Sequence, residues 1–243
     1  MLCVLPAGAW AQDKAAEKAS RFESWFGIEG GNDVVTAYGG LVAALYGYVR
    51  RDGWRVRSSG GGALYGFNRP VSDWLKHGVG QSSFRGRTTF ADVAIGYQKS
   101  FGRLTVKAYG GISREERWVR LSGNGAGHGV SRTIEHEEET GALAAIETWC
   151  DVVNWGFVQL DGDWRQAFES YSIRSRFGYR VTRHWSSGAE GGLMGNKDQD
   201  NGRVGLFARY EGQFGELAAA AGVACSRHES CGAYGSMSML MRF

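Results

Sequence analysis

The sequence predicts an all-β fold, a closed antiparallel transmembrane β-barrel of about 12 strands with short periplasmic turns and longer extracellular loops. Extended runs carry apolar residues on one face and charged residues on the other, which suits a wall between lipid and a wet interior. Glycine is frequent, at 38 of 243 residues, and the 2 prolines are Pro6 and Pro70. Neither lies in a candidate strand, so no proline interrupts one. The 9 tryptophans and 10 tyrosines are typical of chains whose rings lie at lipid-water boundaries.

The clearest two-faced run covers residues 171–181 and reads Y-S-I-R-S-R-F-G-Y-R-V. In an extended chain its aromatic and aliphatic side chains share one face, and Arg174, Arg176 and Arg180 share the other. A helix would scatter both sets. This run alone leaves open an edge strand of a soluble sandwich with an exposed basic face, so the rest of the chain must decide.

Twelve extended runs separated by turn signals follow one another from residue 24 onward. We predict strands at residues 24–31, 34–49, 54–67, 83–98, 103–114, 138–150, 155–166, 170–181, 185–196, 201–212, 216–225 and 232–243. Several of these runs repeat the alternation of residues 171–181, whereas residues 34–49 and 216–225 are apolar or small on both faces.

The lengths of the connections give an independent test, because a barrel with both chain ends in the periplasm alternates external loops with internal turns. The two long connections, residues 68–82 and 115–137, are odd-numbered and are expected outside the cell. The even-numbered connections are all tight, at residues 50–53, 99–102, 151–154, 182–184 and 213–215. A soluble meander has no reason to sort its loops in this way.

The N-terminal region divides into a signal and a leader. Residues 1–11 have the features of the end of a secretory signal peptide, with an apolar run closing in the A-x-A site Ala9-Trp10-Ala11. A short buried strand is the alternative interpretation. Residues 12–23 have helical composition and are expected to form a periplasmic leader before a barrel at residues 24–243. An export signal without a later helix-length apolar run leaves a periplasmic, secreted or outer-membrane location open, and the two-faced strands favour the bacterial outer membrane.

Cysteine spacing and net charge bear on compartment and partners. Cys225 and Cys231 bracket a short polar segment between two strand-like runs, which suits a disulfide across a hairpin end in an oxidising compartment. Two free thiols are the alternative. The net charge of +3 comes with dispersed basic residues, so no nucleic-acid partner is expected.

The last strand alternates methionines with polar residues and ends on the aromatic Phe243. This is typical of a terminal strand that the outer-membrane assembly machinery recognises by adding it to its own sheet edge. We therefore expect that machinery as a partner, along with outer-membrane lipid and lipopolysaccharide. A soluble protein that happens to end in an aromatic strand is the alternative.

Three blocks of sequence together resemble the cellulose biosynthesis protein BcsS family. They are Y-G-G-L-V-A-A-L-Y-G-Y-V-R-R-D-G-W-R-V-R-S-S-G-G-G-A-L-Y-G-F from Tyr38, A-D-V-A-I-G-Y-Q from Ala91, and the run at 171–181 continuing through G-A-E-G-G-L-M-G-N and R-V-G-L-F-A-R-Y. The likeness covers most of residues 25–243. It implies an outer-membrane barrel accessory to bacterial cellulose production, supporting export or surface organisation of the glucan, with cellulose or the cellulose synthase complex as partners. It offers no catalytic residues to carry over.

Charged residues expected inside the barrel form the candidate site, because such a mixture either lines an aqueous passage or closes it by ion pairs across the lumen. They are Arg55, Arg57, Asp92, Glu147, Asp161, Asp163, Arg174, Arg176, Arg180, Glu190, Arg203 and Arg209. Three aromatic residues expected on the same faces, Tyr109, Trp149 and Phe157, are candidates for stacking on sugar rings or for filling the interior.

Two other functions fit the same residues. A guanidinium group offers a planar fork to a carboxylate, so an outer-membrane channel for acidic oligosaccharides is the first alternative. A lipid hydrolase with serine and histidine on its rim is the second, although the sequence contains no nucleophile or metal motif. The segment I-E-H-E-E-E at residues 134–139, with His128 nearby, is interpreted as a solvated acidic loop and strand end, and a divalent-cation site at the outer surface is the alternative. We therefore expect neither a metal nor a cofactor.

Overall fold

The computed structural model describes residues 20–31, 34–71, 80–122, 131–197, 200–213, 215–226 and 231–243. Within them the chain forms twelve strands: β1 (Phe22–Gly31), β2 (Val34–Ala44), β3 (Gly53–Val71), β4 (Gly80–Phe101), β5 (Leu104–Ser122), β6 (Ser131–Val153), β7 (Gly156–Arg165), β8 (Ser170–Arg180), β9 (Trp185–Gly195), β10 (Asp200–Gly212), β11 (Gly215–Ser226) and β12 (Gly232–Arg242). A single 3-10 turn, Ala167–Glu169, connects β7 to β8 in this part of the chain.

The strands form one closed antiparallel barrel, in which sequence neighbours pair and β1 also pairs with β12. The seam between β1 and β12 runs from Glu23 opposite Arg242 to Gly31 opposite Tyr234. At its end, Phe22 N–H donates to the Phe243 carbonyl at 3.0 Å and Phe243 N–H donates to the Phe22 carbonyl at 3.1 Å. Closure removes the sheet edges that lipid could not hydrate. The predicted fold class is confirmed.

The two faces of the barrel wall differ in chemistry. On β8, Ile173 and Phe177 are exposed on the outside, the latter at 60% of its surface, while Arg176 between them is buried inside. On β4, Val93 is exposed and its neighbour Asp92 is buried. The outward side chains therefore form an apolar surface and the inward ones a charged interior, as a transmembrane barrel requires.

Outward aromatic pairs mark one end of this apolar surface. We call this end of the barrel the turn end, because it carries the connections after β2, β4, β6, β8 and β10. The opposite end is the loop end. The pairs are Trp54 with Tyr97, Trp155 with Tyr179, and Trp185 with Tyr210. Amphipathic rings in this arrangement are typical of a lipid-water boundary.

The two long loops predicted at residues 68–82 and 115–137 are wrong in extent. Strands β3 and β4 continue into both ends of the first, and β5 and β6 continue through most of the second. Beyond the lipid, both faces of a strand meet water, so its sequence no longer alternates between apolar and polar residues and looks like a loop. The four long strands β3 to β6 form a wall at the loop end, which we call the loop-end wall.

The strand predicted at residues 34–49 is also too long, because β2 ends at Ala44. The following turn is held from inside by Arg55, whose guanidinium donates to the carbonyls of Val49 and Arg51 at 2.9 Å each. In the same turn, Asp52 accepts hydrogen bonds from the Lys99 ammonium and the Ser100 N–H. These bonds, led by that of Lys99, hold the pKa of the Asp52 carboxyl below its usual value.

The expected signal at residues 1–11 and most of the leader at 12–23 lie outside the described residues. The predicted leader extends too far, because Phe22 and Glu23 belong to β1. In the part of the chain that the structure describes, no helix is long and apolar enough to cross a membrane.

The cysteines of the described residues lie in or beside the strands. A disulfide joins Cys225, near the end of β11, to Cys231, just before β12. Cys150 in β6 is half-buried and free. The disulfide therefore ties together the loop-end tips of two neighbouring strands.

The apolar outer surface generates a stability prediction at Leu206 in β10, which is 71% exposed. Replacing Leu206 with arginine should destabilise a lipid-embedded barrel by about 2–4 kcal/mol near the bilayer midplane. Urea unfolding in phospholipid vesicles, followed by tryptophan fluorescence, measures the change.

The matched control is Tyr46→Arg, in the turn after β2, where the side chain is 79% exposed and arginine is tolerated. An equal and small effect at both positions would contradict the assignment of β10's outer face to lipid, because exposed sites of a soluble barrel accept arginine.

Candidate functional site

The barrel encloses a cavity of about 1590 Å³ that extends to the turn end, where residues of the turns help to line it. Its described lining contains twelve basic and eight acidic side chains, so positive charge is in excess. The basic ones are Arg50, Arg57, Arg103, Lys107, Arg165, Arg174, Arg176, Arg180, Arg183, Arg203, Arg209 and Arg242. The acidic ones are Glu23, Glu29, Glu147, Asp151, Asp161, Asp163, Glu211 and Glu216.

Nine of the twelve charged residues proposed from the sequence line this cavity. They are Arg57, Glu147, Asp161, Asp163, Arg174, Arg176, Arg180, Arg203 and Arg209. The other three, Arg55, Asp92 and Glu190, are buried beneath the lining, at 1%, 4% and 2% exposure. Because these three side chains have almost no exposed surface, their contribution is to bind and position neighbouring groups.

A first ion-pair group connects distant strands toward the turn end of the barrel. The Glu147 carboxylate on β6 forms ion pairs with the Arg57 guanidinium on β3 at 3.2 Å and with the Lys107 ammonium on β5 at 2.9 Å. Lys107 also lies 3.8 Å from Glu23 on β1, four strands away around the barrel. These contacts cross the lumen, so the group fills it with paired charges.

A second group centres on Glu190 of β9, whose side chain has no exposed surface. The Arg176 guanidinium on β8 contacts it at 2.7 Å, and the Tyr234 hydroxyl on β12 donates to it at 3.0 Å. Arg203 on β10 lies 4.0 Å from Glu190 and also pairs with Glu29 on β1. The carboxylate is therefore surrounded by donors from three strands.

A third group lies toward the loop end. Arg165 of β7 contacts Asp92 of β4 at 3.0 Å and Asp163 of its own strand at 2.5 Å. The same guanidinium lies 4.5 Å from the centre of the Phe90 ring. Ser59 of β3 donates to Asp92 at 3.1 Å, so this group also spans several strands.

The connection between β7 and β8 covers part of the lumen at the loop end. Phe168 in this turn is buried, its N–H donates to Glu139 of β6 at 2.7 Å, and the Arg117 guanidinium lies 3.8 Å from its ring centre. Ser170 donates to Glu115 of β5 at 3.0 Å. Phe168 adopts φ of 51°, a left-handed conformation that a bulky residue tolerates only when its surroundings hold it.

The three aromatic residues proposed for sugar stacking do not form an open track. Tyr109 and Phe157 are only 5% and 2% exposed, so neither has a free face for a sugar ring, and both serve packing. Phe157 lies against Gly178, where a Cβ would meet its ring at 2.1 Å, and it stacks on Trp149 at 4.3 Å. Trp149 lines the cavity, and so does Trp25, which the sequence did not single out.

The sequence also missed several charged residues that complete the groups. They are Glu23, Glu29, Lys107, Arg165, Glu216 and Arg242. Their inward direction follows from strand alternation, and that was the available signal. Their partners were not recognisable, because they lie on strands far away in sequence.

Comparison with known proteins assigns the family. The family model described as cellulose biosynthesis protein BcsS matches residues 24–243, nearly the whole chain. The chain belongs to the BcsS family. Membership relates this barrel to cellulose biosynthesis, and it confirms the resemblance seen in the sequence. No curated protein sequence matches the chain.

Solved structures similar to this BcsS-family barrel support the fold alone, because their sequences are only remotely similar. The transport unit of the autotransporter AIDA-I from Escherichia coli gives a TM-score of 0.55 at 11% identity, covering 99% of this chain and 94% of that one. The beta domain of the Bordetella autotransporter BrkA gives 0.53 at 14%, covering 93% and 100%. The translocator domain of autotransporter NalP from Neisseria meningitidis gives 0.51 at 12%, covering 97% and 93%.

The Glu190 group generates the next prediction. Glu190→Gln removes the negative charge that Arg176 faces, leaving a buried guanidinium without its counter-ion, and should lower the free energy of unfolding by about 3 kcal/mol or more. Guanidinium chloride unfolding in detergent micelles measures the loss.

Two further variants make this test specific. Glu138→Gln, which breaks an exposed pair with Arg114, should cost no more than about 1 kcal/mol. Replacing Arg176 and Glu190 together by methionine should recover most of the loss, because no unpaired charge is left. If Glu190→Gln unfolded like the unaltered protein, the carboxylate would not be the centre of this group.

Proposed function

We propose that this protein is an outer-membrane β-barrel accessory to bacterial cellulose biosynthesis, which supports export or surface organisation of the glucan without catalysing a reaction. Membership of the BcsS family over residues 24–243 is the observation that carries the proposal. The closed barrel with an apolar outer face supports the bacterial outer membrane as its location, with the turn end in the periplasm and the loop end outside the cell.

The lumen favours surface organisation over passage of the polymer. Three groups of paired charges connect strands three or four positions apart, and the turn containing Phe168 covers part of the loop end. A glucan threading this lumen would have to separate several buried ion pairs, each of which costs several kcal/mol to break. The barrel therefore acts as a closed scaffold that presents its loop-end wall outside and its cavity to the periplasm.

A channel for acidic oligosaccharides is the second candidate, and the excess of arginine around the cavity favours it. Carboxylates on a sugar chain would compete with Glu147 and Asp161 for guanidinium groups such as those of Arg57 and Arg174. Two of the histidines that a lipid hydrolase would use are described. His136 stacks on Trp118, and His184 lies 2.9 Å from the Glu211 carbonyl, so both have packing roles.

Conductance in planar bilayers separates these functions. We expect the purified barrel to show no stepwise conductance, since ion pairs cross its lumen. Conductance blocked by cello-oligosaccharides would instead favour glucan passage, and conductance blocked by uronates would favour the acidic-oligosaccharide channel.

A paired variant shows whether the charges keep the lumen closed. Replacing Lys107 and Glu147 by serine removes the first ion-pair group and should produce measurable conductance. Replacing Arg114 and Glu138, an exposed pair on the loop-end wall, should leave the bilayer silent. If the lumen variant folds but shows no conductance, these charges are not the barrier to ion passage.

Deletion of the gene from the bacterium that makes this chain tests the cellular role. We expect cellulose to be made at an unchanged rate by isolated membranes but to be held less firmly at the cell surface, as measured by cellulose released into the medium. Unchanged attachment and unchanged yield would contradict the accessory role.

A further inference from the structure

Three arginines, which we call the arginine cluster, face outward on the loop-end wall. Arg85 and Arg87 belong to the same side of β4 as Val93, because they are separated from it by even numbers of residues. Arg120 on β5 lies directly opposite Arg85, and Trp118 lies directly opposite Arg87. Arg85, Arg87 and Arg120 are all exposed or partly so.

The positive charge of this cluster is not balanced by the protein. Like charges directly opposite each other destabilise a sheet, as Arg85 and Arg120 must do. Among the described residues, no acidic side chain pairs with any member of the cluster. The acidic residues on the same face, Glu116 and Glu138, are engaged by Arg114 at 3.5 and 2.6 Å.

The cluster is also partly ordered. The guanidinium of Arg87 lies 5.4 Å from the centre of the Trp118 ring, and Trp118 stacks in turn on His136 at 5.3 Å. A cation held over an aromatic ring loses less freedom on binding a ligand than a free side chain does. The wall therefore presents a positive surface that is set in position before any anion arrives.

The height of the cluster fits a headgroup. Tyr97, which belongs to an outward aromatic pair at the turn end, lies on the same outward face of β4 as Arg87. The stretch between them covers about 33 Å along the strand, or about 25 Å along the membrane normal at a tilt of about 40°. Outward side chains become charged at Arg114, which lies opposite Ala91 and so four residues nearer the turn end than Arg87. The cluster therefore lies beyond the apolar band, at the height of the lipid headgroups, with Arg85 and Arg120 slightly further out.

We propose that Arg85, Arg87 and Arg120 bind the phosphate groups of lipopolysaccharide in the outer leaflet. This inference rests on the outer-membrane location in the proposed function. Arginine offers phosphate a planar, charge-assisted fork, and an anionic headgroup at this height would relieve the repulsion between Arg85 and Arg120. Apolar side chains below the cluster, such as Val93 and Ile112, receive the acyl chains of the same lipid.

The test compares the unaltered barrel with the double variant Arg85→Gln and Arg120→Gln in detergent micelles, titrated with phosphorylated lipid A. We expect about tenfold weaker binding by the double variant, because two charge-assisted contacts are lost. In vesicles made only of zwitterionic phospholipid, the variant should unfold at the same or slightly higher urea concentration, since the repulsion is gone. With lipid A present, the order should reverse.

Matched controls identify the site and the ligand. Arg114→Gln changes an outward arginine that already has acidic partners, and Arg21→Gln changes an exposed arginine at the turn end, so both should bind lipid A as the unaltered barrel does. Dephosphorylated lipid A should bind the unaltered barrel and the double variant equally. Excess inorganic phosphate should displace lipid A only weakly, because it lacks the acyl chains.

Equal binding of phosphorylated lipid A by the unaltered barrel and the double variant would overturn the proposal. So would complete displacement by inorganic phosphate, which would indicate a simple anion site. Because the lumen is untouched, all these variants should remain silent in planar bilayers, so failure of this inference is distinguishable from failure of the closed-lumen function.

Discussion

The structure depends on the pairing of charges across the inside of a cylinder that lipid surrounds. Twelve strands enclose more space than neighbouring side chains can fill, and the wall isolates the interior from most bulk water. Charged side chains in such a place are tolerated when each has a partner and its remaining hydrogen bonds are made. Glu190 illustrates this, since two guanidinium groups and a tyrosine hydroxyl from three strands surround it. The pairs therefore fix the relative positions of strands that share no backbone hydrogen bonds.

This constraint gives the two ends of the barrel different properties. At the turn end, short connections and aromatic pairs surround a cavity whose lining includes many arginine and carboxylate side chains. At the loop end, β3 to β6 rise as a wall, while the turn containing Phe168 folds inward against Glu139 and Arg117. The loop end is thus mostly sheet and charged side chains, and the lumen there is partly covered.

Sequence reasoning predicted what depends on local alternation. The two faces of residues 171–181, the number of strands and the class of barrel all follow from which side each residue occupies. It failed where alternation ends, because the loop-end parts of β5 and β6 meet water on both faces and their sequences resemble a loop. It also failed for contacts such as Lys107 with Glu23, since the partner of an inward charge depends on barrel closure rather than on spacing. Tyr109 and Phe157 were placed on the correct face, but burial depends on neighbours such as Gly178 that pack against them.

The central claim, that the outside of this cylinder is apolar and faces lipid while the inside is charged, is tested most directly by nitroxide scanning along β8. Single cysteines placed in turn from Tyr171 to Arg180, in a background with Cys150 replaced by serine, carry the spin label in phospholipid vesicles. We predict that labels at Ile173, Phe177 and Tyr179 collide with oxygen dissolved in lipid and are shielded from a water-soluble nickel chelate, whereas labels at Arg174 and Arg176 are shielded from lipid oxygen. A reversed alternation, or uniform access of the chelate at every position, would contradict the account.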